Sequence, residues 1–358
     1  MAKKQKELKV IDLFSGCGGL SLGLKRAGFQ ILLGADFWAD SLVTFKNNHP
    51  DSQVLETDIS KVESIELKKA AKDEPDVIVG GPPCQGFSIS GPRNFYDKRN
   101  RLYLDFIRMV KKIRPKAFII ENVPGLAALF GGEVKKKIID EFSKAGYTVN
   151  AQILNASDYG VPQNRKRIFF VGLKSKELFQ FPLPTHSLPN PNNSKQKVTV
   201  GEAISDLPLL DNESGLEEIV YNSPPLSDYQ QAIRKGSKAI YNHIASRHSE
   251  RTKKIIRLVP EGGNYKDLPE HLRDSRNFHI AWTRLDRNKP SPTIDTGHRH
   301  HFHPVANRVP TVRECARLQS FPDRFIFYGP KTSQYKQVGN AVPPILAEAI
   351  GKQLLGYL

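Results

Sequence analysis

Cys84 stands in the run Gly80-Gly81-Pro82-Pro83-Cys84-Gln85-Gly86-Phe87-Ser88, directly after the apolar stretch Val77-Ile78-Val79. Two prolines fix the backbone ahead of the thiol and glycines flank them, which predicts a defined loop at the C-terminal edge of a strand, where a cysteine can act as nucleophile. Inert packing is the other reading of a lone cysteine. Glu121 closes the apolar run Ala117-Phe118-Ile119-Ile120, so its carboxyl reaches the same edge, partly desolvated. Such surroundings favour the protonated form and suit a proton donor, a helix cap or ion-pair partner being the alternative. In Gln163-Asn164-Arg165-Lys166-Arg167 an extended chain would point Arg165 and Arg167 to one face and Lys166 to the other. Two guanidinium groups so placed could meet a carbonyl oxygen or a phosphate; otherwise the cluster is a solvated charge run.

A second constellation lies near the N-terminus. Asp12-Leu13-Phe14-Ser15-Gly16-Cys17-Gly18-Gly19 follows a strand pattern and opens a helical one, where small residues let a ligand approach the backbone and the helix start. The dinucleotide pattern GxGxxG fails, because Ser21 stands where its third glycine would fall. Asp36 follows the second strand at the distance where a carboxylate accepts ribose hydroxyls, and Asp58 follows a third short run. A nucleoside-bearing cofactor without a large phosphate cradle fits, with a structural turn and loop-capping carboxylates as the alternative. His298, His300, His301 and His303 lack a cysteine or acid at ligand spacing, so the sequence predicts no metal there but a loop near nucleic acid.

These groups need a scaffold. Strand patterns at Val10–Phe14, Ile31–Leu33, Asp76–Gly80, Ala117–Val123, Val149–Leu154 and Arg167–Leu173 alternate with helical ones. Among the latter are Leu20–Ala27, closed by Gly28, and Leu102 to Ile113, stopped by Arg114-Pro115. This βαβ alternation predicts an α/β fold with a doubly wound, mostly parallel sheet. From Pro182 the texture turns to Pro, Asn and Ser, and from Thr311 it is helical again, ending in an apolar stripe from Ile345 to Leu355. A smaller inserted domain at 182–304 is therefore expected, between the two parts of a catalytic domain, 1–181 and 305–358. The 358 residues carry 53 Lys+Arg against 37 Asp+Glu, a formal +16 that points to a polyanionic partner. That charge is unevenly spread. Gly201–Asp228 holds seven acids and no Lys or Arg, whereas Tyr229–Lys289 holds fourteen Lys/Arg against six acids, and only the latter suits a phosphate backbone. Three widely spaced cysteines argue against a disulfide framework, and neither a signal peptide nor a spanning segment is expected.

In order, DLFSGCGG (Asp12–Gly19), GGPPCQGFS (Gly80–Ser88), ENV (Glu121–Val123), QNRKR (Gln163–Arg167), TVRECARLQSFPD (Thr311–Asp323) and GNAVP (Gly339–Pro343) resemble the DNA (cytosine-5) methyltransferases, bacterial restriction-modification enzymes in particular. The resemblance implies a Rossmann-like S-adenosylmethionine-dependent methyltransferase domain with an inserted target recognition domain. It implies an S-adenosylmethionine site at Phe14, Gly16, Gly18, Leu20, Asp36, Phe37, Asp58, Ile59, Leu102, Asn340 and Val342. Asp36 stands where the family usually has Glu, and Phe37 where Trp is frequent. Cys84 would be the nucleophile, Glu121 the acid, and Arg165 with Arg167 the pair holding a flipped cytosine and the catalytic loop. Double-stranded DNA is the implied partner, with no membrane, and a monomer in the bacterial cytoplasm, associated with the nucleoid, is expected. An RNA (tRNA) methyltransferase of the same superfamily would have a short recognition region, and a non-catalytic DNA-binding module would have lost Cys84 or Glu121.

Overall fold

A computed structural model describes residues 7–83, 102–187, 195–211, 213–273, 282–297 and 300–358. The chain divides into two compact units, one made of Met1–Asn155, Lys166–Leu183 and Pro344–Leu358, the other of Ala156–Arg165 and Pro184–Pro343.

The first unit is built on a seven-stranded sheet: β1 (Lys9–Leu13), β2 (Gln30–Asp36), β3 (Gln53–Glu56), β4 (Val77–Gly80), β5 (Ala117–Asn122), β6 (Thr148–Asn155) and β7 (Lys166–Leu173). Their order is β3-β2-β1-β4-β5-β7-β6. Strands β1 to β5 pair in parallel, while β7 runs antiparallel to both β5 and β6. The expected mostly parallel sheet is present. Its central parallel strands β4 and β5 are buried at every residue, as expected where helices cover both faces, while the edge strand β3 is not. Among the described residues of the same unit are the helices α1 (Gly19–Ala27), α2 (Ala39–Asn48), α3 (Ser64–Ala71), α4 (Leu102–Ile113), α5 (Gly125–Ala128) and α6 (Glu133–Lys144). The helix Pro344–Leu355 packs along α1. Between α4, α6 and the sheet lies a core of Phe106, Met109, Val110, Phe118, Ile120 and Phe142, with the rings of Phe118 and Phe142 stacked at 3.9 Å.

The strand order reverses between β1 and β4, so the crevice beyond their carboxyl ends is where such a sheet takes a ligand. The glycine-rich turn leaves β1 and Gly80-Gly81 ends β4, which brings two of the chemistry-bearing segments to that crevice.

In the second unit the helix Val312–Leu318 is buried on every side. Thr311 caps it in a reciprocal box with Glu314. Its charges are buried as well. The Arg308 guanidinium forks onto both oxygens of Glu314 at 2.7 Å, and Arg317 bridges Asp206 and Asp323. Arg308 also donates to Leu210 O at 2.8 Å. Unpaired, any of these charges would be far too costly to bury, so the pairs bind 306–323 to the 206–210 segment. That is why 305–343, grouped with the catalytic domain on texture alone, falls in the second unit, and only Pro344–Leu358 returns to the first.

Candidate active site

Phe14 leaves β1 with a left-handed backbone (φ 57°), which ends the strand one residue before the sequence pattern suggests. Gly16 (φ 53°) follows, and no atom lies within 4 Å of the position a Cβ would take there. Gly18 (φ 92°) caps α1 under the opposite constraint, since a Cβ on it would lie 2.6 Å from His49 Nε2. Burial lowers the His49 pKa to about 4, so the ring is neutral, and its Nε2 lies 3.2 Å from Gly18 O. The loop is thus packed hard from below and open on its outer side.

Asp36, at the end of β2, is buried and accepts from the amides of Gly16 (2.8 Å) and Trp38 (3.0 Å), tying the second strand to the glycine turn. Burial raises its pKa, and those amide bonds oppose the rise. Beneath the loop, Asp12 is 1% exposed and accepts from Ser21 Oγ at 2.6 Å. Burial pushes its pKa up to about 7, against the Ser21 bond and with help from the Asp36 charge. The neighbouring Phe37 ring is 68% exposed, Leu20 is buried, and Ser15 Oγ is buried without a hydrogen-bond partner among the described residues. An open glycine turn, a waiting hydroxyl, a carboxylate at the strand end and an uncovered aromatic face fit a nucleoside cofactor.

Asp58 and Ile59 differ in setting. Ile59 is buried, whereas Asp58 is exposed and accepts from the Ser60 hydroxyl and amide, which hold its carboxyl below the usual range. Leu102 opens α4 and is half-buried. Nearly two turns later Arg108 donates to Ile59 O (2.7 Å) and Val62 O (3.0 Å), with Asp105 at 3.2 Å as its counter-ion. Arg108 did not stand out in the sequence, although its partner Ile59 did; an Asp-x-x-Arg spacing on a helix is common and names no distant target.

Glu121 is 8% exposed at the end of β5. In the antiparallel register it faces Phe169, so Arg167 is its diagonal neighbour on the same sheet face. Arg167 Nε lies 3.0 Å from Glu121 Oε1, with 14% and 10% of the two side chains exposed. Burial lowers the Arg167 pKa and the Glu121 charge opposes this. Glu121 Oε2 is 3.1 Å from where a Cβ on Gly81 would stand, and Asn122 Nδ2 donates to Pro82 O at 3.0 Å. Asn122 therefore ties down the segment that leads to Cys84, with the Glu121 carboxylate close beside it; Cys84 itself lies outside the described residues, with Gln85–Ser88.

The two arginines of the QNRKR run part company. Arg165 is 1% exposed in the second unit and donates to Ile294 O (3.1 Å) and Gly339 O (2.8 Å). Gln163 joins it there, accepting from Ile294 N (3.0 Å) and donating to Leu318 O (3.1 Å). Asn340 is exposed at the end of the helix Lys331–Asn340, and Val342 is buried, both in the second unit. Of the histidine tract, His301 Nε2 is 3.2 Å from Thr293 O and His303 Nδ1 accepts from Val305 N and Ala306 N. His300 pairs with Asp295, and His298 lies outside the described residues. Among the described residues no helix is long and apolar enough to cross a membrane.

Comparison with known proteins adds independent findings. The model of the C-5 cytosine-specific DNA methylase family matches residues 8–356. The type II methyltransferase M.DdeI of Desulfomicrobium norvegicum is 41% identical over 376 residues, covering 98% of this chain and 89% of its own. M1.HphI of Haemophilus parahaemolyticus is 40% identical over 353 residues, covering 97% and 87%. A solved structure described as a DNA modification methyltransferase encoded within a prophage (E. coli) superposes with a TM-score of 0.78 at 32% identity, covering 98% of this chain and 99% of that one.

Proposed function

The chain belongs to the C-5 cytosine-specific DNA methylase family, and on that premise we propose that it transfers a methyl group from S-adenosylmethionine to C5 of a cytosine flipped out of duplex DNA. Its relatives' names support a modification role in a type II restriction-modification system, which would place it on the nucleoid in the cytoplasm. The observation that carries the reading is the Glu121–Arg167 pair, buried at the carboxyl edge of the sheet and packed over the turn that leads to Cys84.

Cytosine C5 is a weak nucleophile until the ring's aromaticity is broken. The Cys84 thiolate adds to C6, and Glu121 supports N3 with a proton or hydrogen bond, so that electron density collects at C5. The cofactor, when bound, supplies an electrophilic methyl group on a sulfonium. Loss of the C5 proton then lets the C6–S bond break, which restores the ring and returns the thiolate to Cys84. Arg167 orients the Glu121 carboxyl throughout. For the cofactor, Asp36 would take the ribose hydroxyls, Phe37 and Ile59 the adenine, with Asp58 beside it, and Phe14, Gly16, Gly18 and Leu20 the methionine side. Leu102 would join them, and the resemblance gives further roles to Asn340, Val342 and Arg165, which belong to the second unit. Swinging the base out costs a few kcal/mol (~2–4) of stacking and pairing, which contacts made by the second unit, the recognition unit in this reading, must offset.

Bisulfite sequencing of DNA from cells expressing the chain tests the activity and reports its target. Duplexes carrying 5-fluorocytosine at that target should trap the wild type in a denaturation-resistant adduct and leave Cys84→Ala unlinked. Methylated DNA without an adduct would retain the activity and overturn the covalent route.

A further inference from the structure

We propose that the exposed face of the helix Glu250–Leu258, presented by Arg251, Lys254 and Arg257, is the surface by which the second unit grips the phosphate backbone of duplex DNA. The proposal rests on the DNA methyltransferase reading and names the element through which that unit would engage its substrate.

Ser249 caps the helix, accepting from Thr252 N at 3.2 Å. One side of it is committed to the interior, where Ile256 is fully buried with Val259, Leu268, Phe302 and Val309, and Ile255 packs against them. The other side carries Arg251, Lys254 and Arg257, all exposed. Their three-residue spacing makes them neighbours on the helix surface, three cations spread over about 9 Å of axis. None of the three has an ion-pair partner among the described residues. Lys253, between them in sequence, differs: it is 28% exposed and lies 2.6 Å from Glu250. Arg251 stands in the first turn, where the helix dipole disfavours a cation, so local stability does not account for it. A polyanion running past this face would.

The face is also held firmly. Arg284 is 6% exposed and closes the last turn of the helix, donating from Nε to Val259 O (2.7 Å) and from Nη2 to Ile256 O. The same group donates to Asn307 Oδ1 at 2.9 Å and to His303 O at 3.3 Å, so the helix end is tied to the 303–307 loop. A rigid row of cations suits a regularly spaced anion. The acidic segment of the same unit offers nothing comparable, since its strand Gly215–Ile219 exposes Glu217 and Glu218.

The test is fluorescence anisotropy of a labelled mixed-sequence duplex with the full chain, titrated across a series of KCl concentrations. Removing all three charges (Arg251→Ala, Lys254→Ala, Arg257→Ala) should flatten log K against log salt by about 0.9 per lost contact, about 2.7 in all. The exchange Arg251→Lys, Lys254→Arg, Arg257→Lys should keep the wild-type slope. Lys135→Ala, Lys136→Ala, Lys137→Ala on α6 removes equal charge from the first unit and serves as the control. An unchanged slope in the helix variant, or equal flattening in the control, would overturn the proposal while leaving the activity standing. A wild type that neither methylates DNA nor binds it in a salt-dependent way would remove both.

Discussion

Arg167 and Glu121 form a buried charge pair whose members have unequal tasks. Glu121→Gln keeps the shape and a hydrogen bond to Arg167 but removes the ionisable proton, so single-turnover methyl transfer should slow by about 10²-fold or more with the target sequence unchanged. An unaltered rate would mean that another group serves N3. Arg167→Ala removes the guanidinium beside a carboxylate with 10% exposure, and should lower unfolding free energy by roughly 3 kcal/mol in denaturant titrations. Adding Glu121→Gln to it should return part of that loss, because the buried carboxylate charge goes too. Asp12 makes a separate, pH-dependent prediction. Its pKa is raised by burial to about 7 from 3.8, so the native state binds a proton that the unfolded chain releases earlier. Its contribution is therefore fully present below about pH 4 and is lost as the pH rises through 7. Asp12→Asn keeps the Ser21 contact and has no charge to bury. The variant's stability relative to wild type should climb between pH 4 and 7 and level off above, by roughly 4 kcal/mol as an upper bound. A difference that is flat with pH would show that Asp12 stays ionised.

At the scale of elements, α4 matters more than its apolar stripe suggests. It begins at Leu102, and through Arg108 it holds the carbonyls of Ile59 and Val62. Arg108→Ala should loosen the 58–62 turn and raise the KM for S-adenosylmethionine by about tenfold, with kcat nearly kept. Arg108→Lys should recover only part, because an ammonium cannot fork to two carbonyls. Cofactor titration followed by the fluorescence of Trp38, beside Phe37, checks this directly. The reach of Arg108 across 49 residues shows where sequence reading stops. β1, β4, β5 and β7 were legible because strands covered on both faces must be apolar runs, and α4 because Phe106, Met109, Val110 and Ile113 repeat at the helical period. β3 is a four-residue edge strand with every second residue exposed, and its sequence carries little signal. The direction of β7 was invisible for a different reason: an apolar run has no polarity, yet the antiparallel register is what sets Arg167 diagonal to Glu121. Within QNRKR, residue types suggested a shared anion site. The chain instead joins β7 only at Lys166 and spends Arg165 on two main-chain carbonyls, which no side-chain pattern announces.

Over the whole molecule, net charge predicts the partner and its segregation predicts which half of the second unit meets it. Neutralising Glu217 and Glu218 to Gln should therefore leave the salt slope of DNA binding unchanged, in contrast to the basic helix; a steeper slope would place the acidic strand near phosphate. The division into units has a separate consequence, for heredity. The chain passes between the two units four times, and the second takes ten residues, Ala156–Arg165, from between β6 and β7. Gln163 and Arg165 in that short piece bond to Ile294, Leu318 and Gly339. A gene exchange that carries 184–343 alone leaves those partners facing a foreign Gln163 and Arg165, and one that carries only 182–304 also separates Asp206 and Leu210 from Arg317 and Arg308. Acquiring a new target sequence by recombination should thus favour donors whose 156–165 segment already matches. Chimeras moving 156–165 together with 184–343 should express as folded, retargeted enzymes more often than those moving the longer tract by itself, and scoring soluble yield alongside methylated sequence would expose any lineage that escapes the rule.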